Sequence, residues 1–113
     1  MKAFRYPLLA LLMAFADPAA PGPEPMMDRI EATVVLPPGT ASLSSYGRYY
    51  AWEARTDGVR KVRGIYVREP EPSRHWVNEN ELPLVMDGGC DIVSLTFDLA
   101  TDRIEWVACN SEG

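Results

Sequence analysis

The chain has 113 residues, with 11 Lys plus Arg against 16 Asp plus Glu, and a formal net charge of −5 at pH 7. That length admits one domain. The acidic balance leaves no surplus of cations to displace counterions from a nucleic acid or to hold an anionic membrane surface.

The chain opens with "MKAFRYPLLALLMAFA". Lys2 and Arg5 give a positive start, Leu8 to Phe15 is an uncharged apolar run, and Ala14-Phe15-Ala16 is a small–x–small site. This order predicts a secretory signal peptide over 1–16, cut after Ala16 or, failing that, after Ala20. The apolar run is shorter than the roughly 20 residues needed to span a bilayer. No cysteine stands directly after it, so no lipid attachment is expected. Cleavage removes two cations and no acid, taking the charge from −5 to −7. The expected location is periplasmic or extracellular, with no membrane contact after cleavage.

Four prolines in "DPAAPGPEPMMD" (Pro18, Pro21, Pro23, Pro25) predict a flexible leader over 17–28, followed by a single small globular domain over 29–113. Ile30, Ala32 and Val34 alternate with Glu31 and Thr33, the period of a half-buried strand that stops at Pro37-Pro38. In "TASLSSYGRYYAWEA", Thr40 or Ser42 is placed to cap one helical turn carrying Leu43 and Tyr46, closed by Gly47. An aromatic strand follows. Asp57-Gly58 is a strong hairpin turn, so 48–68 reads as a hairpin. A two-residue turn there pairs Trp52 with Arg63, Ala51 with Gly64 and Tyr50 with Ile65. It allows a cation–π contact between Trp52 and Arg63, with Tyr49 or Tyr66 covering Gly64.

The stretch "PEPSRHWVNENELPLVMDGG" has no strand period. Asn78 with Glu81 fits a capping box for one turn. Trp76 and Val77 are expected to pin the middle of this connection to the core, and Leu82, Leu84 and Val85 its end.

Residues 90–109 read as a second hairpin, with "DLATD" as its loop. Pairing Phe97 with Ile104 sets Leu95 opposite Trp106 and Val93 opposite Ala108, an apolar face. Cys90 and Cys109 then fall diagonally on the other face, farther apart than a disulfide spans. A bend at Gly88-Gly89 or a bulge shifting the register brings them within reach. Two cysteines in an exported chain predict one disulfide, Cys90–Cys109. The expected fold is mainly β, with room for a small α+β variant: an antiparallel sheet of about four or five strands closed by that bond.

Catalytic constellations are sparse. His75 is the sole histidine, both cysteines are committed, and no G-x-S-x-G elbow or phosphate loop occurs. No catalytic residue, metal ligand or cofactor is therefore assigned; Asp87, Asp91 and His75 are the only groups on which a hydrolase or metal-dependent activity could rest. Two other features stand out. Arg48, Arg55, Arg60, Lys61, Arg63, Arg68 and Arg74 form a basic block flanked by acids, and tyrosines cluster at its start. The block reads either as a face for an acidic partner or as strand faces neutralised by neighbouring acids. On the first reading Tyr49, Tyr50, Arg60, Lys61 and Arg63 are the partner-binding residues.

"SLSSYGRYYAWE", "GIYV" and "HWV…LPLVMDGGCDIVSLTFDLATDRIEWVACN" resemble a group of small exported bacterial proteins of uncharacterised function, in which a tyrosine-rich segment precedes a Gly-Gly-Cys hairpin ending in Cys-Asn. The resemblance spans residues 36 to 110. It implies a shared fold and the disulfide, and no activity. "SSYGRYY" is also faintly similar to the inhibitory loop of periplasmic lysozyme inhibitors, without the rest of their motif. The expectation is thus a non-enzymatic envelope protein that binds a protein partner. Inhibition of a cell-wall-degrading enzyme and a carboxylate- or metal-dependent hydrolase are the alternatives.

Overall fold

The computed structural model describes residues 21–54 and 60–112. The expected signal peptide, the first residues of the expected leader, Arg55 of the basic block and the Asp57-Gly58 turn lie outside the described residues. Within them run a helix α1 (Pro23–Thr33) and strands β1 (Tyr46–Trp52), β2 (Lys61–Arg68), β3 (Arg74–Trp76), β4 (Ile92–Asp98) and β5 (Arg103–Cys109). The strands form one five-stranded sheet in the order β3-β1-β2-β4-β5.

The architecture is mainly β with one disulfide, as the sequence predicts, but the sheet is mixed. β1 and β3 pair in parallel, with Tyr49 beside His75 and Tyr50 beside Trp76. After β2 the chain crosses the end of β1 and returns along its free edge. Arg48 N–H donates to Ser73 C=O (2.9 Å) and Val77 N–H to Tyr50 C=O (2.8 Å), bracketing the short β3. Three residues are too few to show a period, so this strand leaves no trace in the sequence pattern.

A helix stands where a flexible leader to residue 28 and a strand from residue 30 were expected. Pro23 occupies the first turn, where its missing N–H costs nothing, and Glu24 lies there too, next to the positive helix end. Met26, Met27 and Ile30 then share one stripe and are almost wholly buried. Val34, in extended conformation, ends the helix.

The helix covers one face of the sheet, here called inner. Because side chains alternate along a strand, Tyr46 and Tyr50 of β1 share that face with Val62 and Tyr66 of β2 and Val93, Leu95 and Phe97 of β4. All seven are fully buried and cluster with the helix stripe.

β1 and β2 pair one residue away from the register that a two-residue turn would set: Trp52 faces Val62, Ala51 faces Arg63 and Tyr50 faces Gly64. Arg63 therefore points to the outer face, opposite Trp52. Instead of a guanidinium, Trp52 meets Trp76 edge to face; among the described residues a cation–π contact is made by Arg68 over Tyr46, at 5.9 Å. Gly64 lies under Tyr50 and Leu95, not Tyr49 or Tyr66, and a Cβ there would come within 3.1 Å of Leu95.

The β4–β5 ribbon begins in the predicted register, Phe97 with Ile104, and then shifts by one: Thr96 faces Trp106, Leu95 faces Val107 and Val93 faces Cys109. Glu105 is the extra residue of a bulge. The shift turns Val107 and Cys109 toward the core alongside Ile104 and sends Trp106, expected on the apolar face, outward with 45% of its surface exposed. It also resolves the diagonal cysteines. Gly88 and Gly89 adopt left-handed φ of 110° and 55° and lead into a 3-10 turn holding Cys90, which bonds Cys109 with Cα atoms 4.6 Å apart.

The long connection is held partly as expected. Trp76 packs on the core, and Glu81 Oε1 accepts the Asn78 N–H at 3.0 Å, one half of the capping box. The single turn at Leu43–Ser45 starts from Ser42 without a side-chain cap bond. Leu84 and Val85, however, are exposed. Asn110 anchors that end instead, its side-chain amide donating to Val85 C=O (2.7 Å) and Asp87 C=O (2.9 Å).

Candidate functional site

The two faces of the sheet treat the basic block differently. On the inner side, Glu24, Asp28 and Glu31 of α1 meet Arg74, which bonds Asp28 at 2.8 Å, while Arg48 Nε donates to Glu31 Oε2 at 3.1 Å. These arginines fasten the helix to β1 and β3. Arg29 and Asp102, 2.7 Å apart, fasten its other side near the β4–β5 loop. Here the neutralised-strand reading of the basic block holds.

Tyr50, one of the residues expected to touch a partner, belongs to this inner network and is fully buried. Its hydroxyl donates to Glu31 Oε2 (2.8 Å), so the Tyr66 hydroxyl, 2.7 Å away, donates to Tyr50 in turn. The even spacing from Tyr46 already places Tyr50 on the face of a buried tyrosine; Tyr49 takes the other face. Burial, followed by the neighbouring Tyr66 hydroxyl and the Glu31 charge, raises the Tyr50 phenol far above its ordinary value of 10.0. Burial raises Tyr66 as well.

This has a consequence for alkaline stability. A phenol whose folded pKa is raised lends stability that is complete below the unfolded value of 10.0. That stability is lost as pH rises above 10.0, by about 1.4 kcal/mol per pH unit for each group. Urea midpoints are expected to hold steady up to about pH 9 and then fall, and Tyr50→Phe with Tyr66→Phe should flatten the fall. A wild-type midpoint that does not change up to about pH 11 would contradict the network.

No α-helix among the described residues lies over the outer face. One row across it reads His75, Tyr49, Ile65, Ser94, Ala108, and the next reads Ala51, Arg63, Thr96, Trp106. Tyr49 stacks on His75 with ring centroids 4.5 Å apart and planes within 8°, and donates to Glu69 Oε2 at 2.6 Å. That carboxylate fills the space above Gly47, so any side chain at 47 would collide with it. The bond to Glu69, then burial, raises the Tyr49 phenol too. Lys61, expected at the partner surface, is paired with Glu105 of the bulge. Arg60 is exposed and Arg63 half-buried, and neither makes an ion pair among the described residues. Of the five predicted residues, the fold therefore gathers Tyr49 and Arg63 on one face, leaves Arg60 just before β2, pairs Lys61 and buries Tyr50. Trp106 joins the face unannounced, because only the bulge turns it outward.

The carboxylates considered for catalysis do not converge with the histidine. His75 lies on the β3 edge, bonded to Ser73. Asp91 precedes β4, three strand spacings or about 14 Å across the sheet, and pairs with Arg68 at 3.6 Å. Asp87 sits by Asn110 at the end of β5. Among the described residues no group of three or more His, Cys, Asp or Glu is placed to hold a metal ion. No helix among them is long and apolar enough to cross a membrane.

Comparison of the chain with protein-family profiles, curated proteins and solved structures finds no match.

Proposed function

We propose that the chain is exported and acts without catalysis, holding a protein partner of acidic surface on the outer face of its sheet. The observation that carries this reading is the row Arg63–Thr96–Trp106, which presents a guanidinium with no ion pair among the described residues and a 45% exposed indole on one face. Arg, Trp and Tyr are the residue types that concentrate binding energy in protein interfaces. Tyr49 supplies the third, its ring held by His75 and its hydroxyl by Glu69. The helix-side arginines are spent on α1, which leaves Arg63 on this face, and the exposed Arg60 just before β2, to carry the charge complementarity. The Cys90–Cys109 bond supports export, because such bonds persist in oxidising compartments.

An inhibitor acting through "SSYGRYY" has less support. Tyr46 and Gly47 are buried, and Arg48 is bound to Glu31, Leu43 C=O and Tyr46 C=O, so that segment offers no protruding loop.

The test is photo-crosslinking from position Ser94, on the outer face, in envelope extract. The wild-type chain is expected to give a discrete adduct that Arg60→Glu with Arg63→Glu, and separately Trp106→Ala, reduce at least about tenfold while unfolding midpoints stay near wild type. An adduct unchanged by either variant would remove this face as the binding surface.

A further inference from the structure

A concave site lies at the β1–β3 end of the sheet, on the inner side and apart from the Arg63–Trp106 face. Trp52 ends β1 and Trp76 ends β3. Their indoles meet at 74° with ring centroids 5.6 Å apart, which makes a corner of two aromatic walls. Tyr50 stacks on Trp76 at 6.4 Å and 21°, and so ties the corner to the buried tyrosine network. The chain beyond β3 closes the remaining sides. Val77, Asn78, Glu79 and Glu81 line, with the two tryptophans, a cavity of about 250 Å³.

Both carboxylates are oriented by backbone. Glu79 Oε1 accepts the Ala54 N–H and Glu81 Oε1 accepts the Asn78 N–H, each at 3.0 Å. Neither has an ion-pair partner among the described residues. Two fixed negative charges and two indoles thus surround one hollow on an acidic chain.

We propose that this hollow binds an alkylammonium group. An indole attracts a cation through its negative ring face, and a nearby carboxylate adds direct charge pairing. The corner shape suits a compact charge with an apolar shell, which touches both walls at once. A flat sugar ring would need one open indole platform, whereas these indoles meet at 74°. The charge has two natural sources, a quaternary ammonium such as choline and a primary amine such as a lysine side chain, and they share this chemistry.

The test titrates the oxidised, signal-free protein at low salt with choline, with n-butylammonium and with 3,3-dimethylbutan-1-ol, the neutral isostere of choline. The readouts are the Trp52 and Trp76 indole N–H resonances. At least one cation is expected to shift both resonances saturably, with the neutral isostere roughly tenfold weaker. Choline alone assigns a quaternary ligand, and n-butylammonium alone assigns a lysine-type amine. Glu79→Gln with Glu81→Gln keeps the acceptor oxygens that hold the loop and is expected to weaken the cation roughly tenfold. Arg60→Glu with Arg63→Glu should leave this titration unchanged, which separates the hollow from the outer face. The proposal fails if neither cation gives a saturable shift, if the neutral isostere binds equally, or if the double glutamine variant binds as wild type.

Discussion

Replacing Cys90 and Cys109 together by serine is expected to lower the unfolding free energy by about 3 kcal/mol, the entropy of a closed loop of roughly 20 residues released to the unfolded chain. The bond has unusual leverage because of where it sits. β5 is an edge strand whose one strand neighbour is β4, and its pairing is interrupted at the Glu105 bulge. Beyond the bulge its last residues are held by the Val93–Cys109 pairing and by Asn110 N–H, which donates to Ile92 C=O at 3.0 Å. Losing the bond also frees the 3-10 turn whose Cys90 C=O accepts the Tyr46 hydroxyl at 2.6 Å, so β1 feels it too. Urea unfolding with and without reductant measures this. The midpoint should drop by about 2 M, taking a slope near 1.5 kcal/mol/M for a domain of this size. Reduced wild type should match the serine variant. A midpoint that reduction leaves in place would mean the staple contributes nothing.

Met26→Ala is expected to cost about 3 kcal/mol, within the range for emptying a buried methionine site. Met26 is fully buried in α1, against the Tyr46, Tyr50, Tyr66 and Phe97 cluster on the inner face. The magnitude discriminates between two pictures of residues 17–28. A solvated leader predicts no effect from truncating a methionine within it; a helix closing the core predicts the loss of a large part of a small domain's stability. Glu24→Ala is the control. Its ion pair with Arg74 is mostly exposed on the Glu24 side, and it should cost less than about 1 kcal/mol. Equal, negligible effects of both substitutions would restore the leader.

The sequence carried the helix signal, but a stronger-looking one masked it. Pro23 in the first turn, Glu24 beside it, and Met26, Met27, Ile30 and Val34 on one stripe all fit a helix start. Pro18, Pro21, Pro23 and Pro25 together suggest a linker, and the Ile30–Val34 alternation is equally compatible with a strand. What decides is a contact distant in sequence: Glu31 reaches Arg48 and Tyr50, and Glu24 and Asp28 reach Arg74. No local period encodes those pairings.

Registers show the same limit. The hairpin at 90–109, its starting pair Phe97–Ile104 and the need for bent glycines or a bulge were all legible, because apolar alternation and the Asp98 loop constrain them. Which residue becomes the extra one was not, since Ile104, Trp106 and Ala108 alternate as well as Ile104, Val107 and Cys109 fill the core. That one residue decides the candidate surface: it hides Cys109 and exposes Trp106. In the β1–β2 pair a one-residue difference likewise moved Arg63 away from Trp52. Of the expected surface, Tyr49 and Arg63 remain, and Tyr50 becomes part of the frame that holds them.

The account rests on a disulfide-closed sheet formed outside the cytosol, and intact mass spectrometry of the protein recovered from its host's envelope or medium tests it most directly. After alkylation without reductant, it predicts a chain beginning at Asp17, or at Pro21 under the alternative cut, with neither cysteine modified. A chain that keeps residues 1–16 and takes up alkylating agent at both Cys90 and Cys109 would contradict it.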